Sequence, residues 1–441
     1  MARYTRYLGR FWSSAEPRLH WGILIFLGIP LLLSGAFPPD PGGDTDLYRD
    51  VGEAILAGQA PYRDFPIEYP PGALPAFLLP ALFSSEWGGD YRYFFAAEMA
   101  VLLVATMLLT AKVSQRLGKP WLPPALVVTV GFLILLVPYR IPTSRYDAVV
   151  ALALSAAAWA TAVRRFTLAW AFLGLGTLAK LTPGLATAAL YPLRQRRLRG
   201  TLVFVGVLLA GFIPTFLASP SGFSNMFSYH AHRGLQIESF AASTLLRLDQ
   251  VEGIAFRYGA VETVGGLSEA AAIATLPLTL ALLLITGAVI WRKARRGCLG
   301  PAQFPRYAAA LLLAFMVGSK VLSPQYLVWL VPLVPLAFRG VWGMGVSALF
   351  LFSCGITIPM LYGFYPYHGE NPTFIEMVST PLTLESQQYL SLVSEYSLLG
   401  IHPLNILLGR NILLLILWLA MLLAPDGEEI GDPTRDRGPY H

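Results

Sequence analysis

Charge is scarce in this chain. Asp, Glu, Lys and Arg make up 13% of its 441 residues and 55% are hydrophobic, with 25 Phe and 10 Trp. So little charge cannot clothe two or three soluble domains, and a mean hydropathy of +0.56 makes the chain a polytopic membrane protein. Cysteine is scarcer still. Cys298 stands beside a basic cluster and Cys354 in an apolar run, contexts that offer neither a disulfide framework nor a thiolate metal site. Long basic tracts are missing too: the formal net charge of +6 comes from short Arg and Lys clusters between apolar runs, a topology signal rather than a nucleic-acid surface. No small-residue cleavage site follows the first apolar run, so residues 19–37 are expected to remain as an uncleaved first helix. Arg3, Arg6, Arg10 and Arg18 would hold its start in the cytoplasm.

Acidic side chains, rare elsewhere, crowd into one place. Residues 43–71 read GDTDLYRDVGEAILAGQAPYRDFPIEYPP, which with Asp40 gives seven carboxylates against only Arg49 and Arg63. Following the first span directly, this stretch must lie at a membrane surface, where carboxylates can be solvated or do chemistry. Tyr48, Val51 and Ile55 recur at helical spacing with Asp46, Asp50 and Glu53 opposite, and Gly58 and Pro61 stop the pattern, so a short surface helix is expected. Residues 73–83 are apolar but about half the length of a span, and are expected to be interfacial or re-entrant.

The remaining apolar runs predict an all-α fold of about twelve crossings. Single spans are expected at 19–37, 93–111, 121–138, 146–163, 201–217, 270–291, 341–359 and 404–423. Two further runs, 166–193 and 306–339, have basic residues at both ends and must return to their own side as hairpins of two short helices. Each is broken by a lysine shortly before a proline, in Lys180-Leu181-Thr182-Pro183 and in Lys320-Val321-Leu322-Ser323-Pro324. Residues 1–424 then form one membrane domain and 425–441 a polar tail, with both termini cytoplasmic and the acidic loop external. Arg140 and Arg145 break the charge rule by falling in a short external loop, so something there calls for positive charge.

Asp44, Tyr48, Gly58, Pro61, Tyr62, Tyr69, Pro70 and Pro71 have the spacing found in the first external loop of the membrane glycosyltransferases of family 87, of fold type C. His232-Arg233-Gly234-Leu235-Gln236-Ile237-Glu238-Ser239 and residues 320–326 also resemble segments of that family, in the same order. The resemblance implies an inverting enzyme that moves a hexose, mannose in particular, from a polyprenyl-phosphate donor to a glycolipid or glycan acceptor at the outer face of the cell membrane.

Such a reaction needs a base for the acceptor hydroxyl, because an alcohol is a weak nucleophile until its proton leaves. Asp44 is the first candidate and Asp46 the second, with Glu68 a further carboxylate in the same loop. The plainer roles are an N-cap of the surface helix for Asp44 and a helix-face or orienting residue for Asp46. Asp44-Thr45-Asp46 also has the form of a divalent-metal motif for nucleotide sugars, but an external loop has no access to those, and cationic side chains can serve a lipid phosphate without a metal cofactor. Lys180, Lys320, Arg140, Arg145 and Arg233 are the cations available for that phosphate, although lysines near an interface also snorkel. His230, His232, Arg233 and Glu238 form either a binding segment or a plain polar loop, and two histidines alone make a poor metal site. Tyr62, Tyr69 and Tyr326, with Gln325 beside the last, are candidate sugar contacts, aromatic residues being common at interfaces in any case. Two other classes remain. A transporter or flippase would explain broken helices and intramembrane lysines, but tends to have related halves and midplane sites. A non-catalytic scaffold would leave the acidic loop without a role.

Overall fold

The computed structural model describes residues 17–39, 43–193, 197–364, 383–394 and 397–425. Asp40, Arg3, Arg6, Arg10, Arg194, Arg196 and all of the tail beyond Pro425 lie outside the described residues.

Among the described residues five helices are long and apolar enough to cross a membrane: Tyr91–Arg116, Arg197–Ala218, Gly266–Arg295, Gly340–Leu361 and Pro403–Leu423. The chain is thus a multi-pass membrane protein. Five further apolar helical stretches are shorter, so helix length supports fewer full crossings than the twelve expected. Three of the expected single spans, 19–37, 121–138 and 146–163, are among the short stretches, and the hairpins account for the rest. The first is a helix, Phe166–Ala179, whose return leg is only 3-10 turns and one α-turn, Thr182–Ala186, Thr187–Leu190 and Tyr191–Leu193. The second is Phe304–Gly318, buried almost throughout, returning through Pro324–Tyr326, Leu327–Leu330 and Val334–Ala337. Pro183, Pro324 and Pro335 sit in these return legs, and a proline interrupts regular helix there. Threonines and serines inside the spans satisfy their hydroxyls on carbonyls one turn back, as Thr106 does on Leu102 and Ser155 on Ala151.

The surface helix forms as its pattern predicts, over Asp44–Leu56, with Tyr48 and Val51 buried. It packs on Leu74–Trp87, the segment expected to be interfacial. Between them, the Pro-Pro-Gly turn closes on the tip of the first hairpin. A Cβ on Gly72 would stand 2.6 Å from the Leu178 backbone, so only glycine permits this approach.

The expectation of an all-α fold is corrected by a four-stranded antiparallel sheet. Its order is β1-β3-β2-β4, with β1 Leu235–Gln236, β2 Gly253–Arg257, β3 Ala260–Val264 and β4 Thr383–Glu385. Strands β2 and β3 are joined by Tyr258 and Gly259, both at positive φ, the two-residue turn whose twist suits a hairpin. Hydropathy scanning is blind to strands this short.

Candidate active site

The surface helix begins on Gly43, which caps it at a φ of 75° without any side-chain hydrogen bond. Asp44 is therefore the first helical residue and its carboxylate is not spent on capping. Instead Oδ2 lies 2.9 Å from Nε of Arg145 and accepts a long bond, 3.5 Å, from the Tyr48 hydroxyl. Oδ1 accepts no hydrogen bond among the described residues, and the side chain is about a third exposed, 31%. Thr45 beside it donates to the Ser144 carbonyl at 3.0 Å. Asp46 points elsewhere, to Arg49 at 3.2 Å, in a polar recess with Glu53, Asp90 and Arg92. The two aspartates of the Asp-Thr-Asp motif are thus splayed, and among the described residues no three His, Cys, Asp or Glu side chains gather as a metal site.

Glu68, in the same loop, lies close enough to Asp44 to feel its charge. Burial raises its pKa, opposed by hydrogen bonds from the Tyr229 and Tyr69 hydroxyls and by the Arg233 guanidinium. His230 places Nε2 at 3.2 Å from the Glu68 carbonyl; loss of water around the ring and the charge of Arg233 lower its pKa to about 4. A cleft of about 440 Å³ opens beside Glu68, lined by Leu47, Val51, Ile67, Tyr69, Tyr229 and His232 among others. Arg233 follows the helix Pro220–His232, and its Nε is buried without a hydrogen-bond partner among the described residues.

The other expected cations are engaged. Lys320 donates to the carbonyls of Ala231 and Arg233, at 2.8 and 2.5 Å, and so closes the C-terminus of the helix Pro220–His232. Burial lowers its pKa. Lys180 meets Oδ1 of Asp147 at 2.8 Å. Arg140, in left-handed backbone, donates to the Pro38 carbonyl. Tyr62, also left-handed, is buried and ties its own loop by donating to the Tyr69 carbonyl at 2.8 Å. Its carbonyl fills the space a side chain on Gly222 would need. Tyr326 stacks on Trp329, with ring centroids 4.3 Å apart, and Gln325 accepts from Ser323 at 2.7 Å. His232 is exposed and bonded to the Ser228 carbonyl. Glu238 is buried against the last helix, where Arg410 and Asn411 both donate to its carbonyl, at 2.8 and 3.1 Å.

The structure thus brings together Asp44, Glu68, Tyr69, Arg145, His230, Arg233 and, through their neighbours, Lys180, Lys320 and Tyr326. Asp46, Arg140, Gln325 and Glu238 have partners of their own, while Tyr62 and His232 border the group, Tyr62 through the Tyr69 carbonyl and His232 in the lining of the cleft. The sequence reading missed Asp147, Trp329, Tyr229 and Glu262, whose carboxylate holds the Gly234 N–H at 3.0 Å. Asp147 had a signal: it is the one acidic residue between Glu98 and Glu238.

Among solved structures, the chain is similar to ArnT from Cupriavidus metallidurans bound to undecaprenyl phosphate, with 13% identity, a TM-score of 0.50, and coverage of 92% of this chain and 76% of that one. The apo state of the same protein gives 13% identity, a TM-score of 0.49, and coverage of 92% and 78%. At this identity the likeness to the first is one of fold. No curated protein matches the chain. The family model described as glycosyltransferase family 87 matches residues 67–324, a segment that holds Glu68, Arg145, Asp147, Lys180, His230, Arg233 and Lys320 and begins after Asp44. Since that match spans more than half of its length, the chain belongs to glycosyltransferase family 87.

Proposed function

We propose that the protein transfers a hexose from a polyprenyl-phosphate carrier to a hydroxyl of a lipid-linked or cell-envelope acceptor, with inversion at the anomeric carbon. The observation that carries this reading is the state of Asp44. Arg145 and Tyr48 hold one carboxylate oxygen and leave the other without a hydrogen bond among the described residues, on a side chain about a third exposed. That open oxygen takes the acceptor proton while the acceptor oxygen attacks the anomeric carbon from the face opposite the phosphate. The carbon–oxygen bond to phosphate breaks, its electron pair leaves with the polyprenyl phosphate, and Arg233, whose Nε has no hydrogen-bond partner among the described residues, stabilises the departing charge. Family membership supports the transfer, and the fold shared with a protein crystallised on undecaprenyl phosphate supports the carrier. Mannose follows from the family resemblance alone.

The test is Asp44→Asn, which keeps an oxygen for Tyr48 but cannot take a proton. Transfer should fall about 10²–10⁴-fold with donor binding intact. Near-normal activity would move the base to Asp46 or Glu68. The placement of basic clusters further orients the site outward with both termini cytoplasmic. A cysteine at the exposed Gln59 should then react with impermeant reagent from outside, and labelling from the cytoplasmic side would reverse the arrangement.

A further inference from the structure

Residues 144 to 146 grip the surface helix Asp44–Leu56, and the next residue, Asp147, grips the two hairpins. The Ser144 carbonyl accepts from Thr45, and Arg145 pairs with Asp44. Tyr146 packs edge-on against Tyr48, Tyr69 and Phe77, with ring centroids 5.2–5.7 Å away. Asp147 is wholly buried, and its Oδ1 takes both the Lys180 ammonium at 2.8 Å and the Trp329 indole N–H at 2.5 Å. Lys180 comes from the first hairpin and Trp329 from the second. The ammonium also lies 5.0–5.4 Å over the rings of Tyr146, Tyr326 and Trp329. The ammonium is thus matched by a carboxylate and set among three rings.

We infer that Asp147 and Lys180 are positioning residues that hold Arg145 against Asp44 without touching substrate. The Arg145–Asp44 pair is partly exposed, at 26% and 31%, and such a pair is too weak to fix its own geometry. Two residues along the chain, at most about 7 Å away, the buried Asp147 is held by two hairpins at once. The rigid pair therefore sets where the loose one can form. This rests on the reading of Asp44 as the base.

The test uses the full-length protein with two mild substitutions. Trp329→Phe removes only the N–H to Asp147, and Lys180→Arg keeps the charge but replaces a point cation by a planar fork. Modification of Arg145 by phenylglyoxal, followed by peptide mass, should speed up severalfold in both. In transfer assays kcat should fall about tenfold at unchanged donor KM, and this loss should shrink below about twofold in an Arg145→Gln background, since residues acting through one contact are not additive. Unchanged Arg145 labelling, or an equal kcat loss in both backgrounds, overturns the positioning role. So does a raised donor KM at constant kcat, which would put Lys180 on the donor. Absence of any transfer by the parent protein would instead sink the transferase reading, and the labelling would still decide whether Arg145 is held from Asp147.

Discussion

The two hairpins look alike in sequence, each with a lysine shortly before a proline at its tip, yet the structure uses the two lysines in opposite ways. Lys180 is turned inward to a buried carboxylate and aromatic rings, whereas Lys320 closes a helix end by donating to two carbonyls beside half-exposed surroundings. The difference lies in what each tip faces. Asp147 begins the helix opposite Lys180, while Lys320 faces the end of Pro220–His232, where unpaired carbonyls gather. A shared local pattern therefore fixes where a cation sits and leaves its partner to the fold.

The contrast breaks most visibly on deletion of charge. Lys180→Met should lower stability by about 3–5 kcal/mol, because it strands the Asp147 carboxylate in the interior, as followed by thermal unfolding in detergent. Asp147→Asn combined with Lys180→Met should recover most of that loss, since no charge is then stranded; a double variant as unstable as the single would mean that packing, not charge, is what Lys180 supplies. Lys320→Met should cost only about 1 kcal/mol, because carbonyls near the surface can turn to water. An equal loss for both lysines would erase the comparison. At neutral pH the smallest effect is expected at His230, whose exposed ring acts only under acid: the unfolded ring takes its proton near about 6.5 and the folded one near about 4. Between these values the unfolded chain binds more protons, so the contribution is complete above pH 6.5 and drains away as pH falls towards 4. His230→Gln should flatten the dependence of melting temperature on pH across that window, and an unchanged slope would assign it to other groups.

Much of this architecture was legible because hydropathy and charge are strong signals at membrane scale. The surface helix and both hairpin breaks follow from the placement of Tyr48, Val51, Pro183 and Pro324. What could not be read is partnership. Arg140 and Arg145 stand in one loop with the same side chain, and only the left-handed backbone at Arg140 sends its guanidinium to Pro38 while the extended Arg145 reaches Asp44. The Tyr258-Gly259 turn was visible in the letters, but a five-residue strand buries too little to alter a hydropathy profile. Asp147 was visible as well, as a lone acid, though nothing local to it names Lys180 or Trp329.

The last helix bears on when this protein becomes competent during its synthesis. Arg410 and Asn411, fully buried in Pro403–Leu423, clasp the Glu238 carbonyl, and strand β4 completes the sheet from Thr383–Glu385. A ribosome that has delivered everything through the second hairpin has therefore already supplied Asp44, Arg145, Arg233 and Lys320, but neither the clasp nor the fourth strand. Until Pro403–Leu423 is in place the segment bearing Arg233 lacks the clasp on Glu238, so a chain halted before it would display these reactive side chains without the framework that holds them.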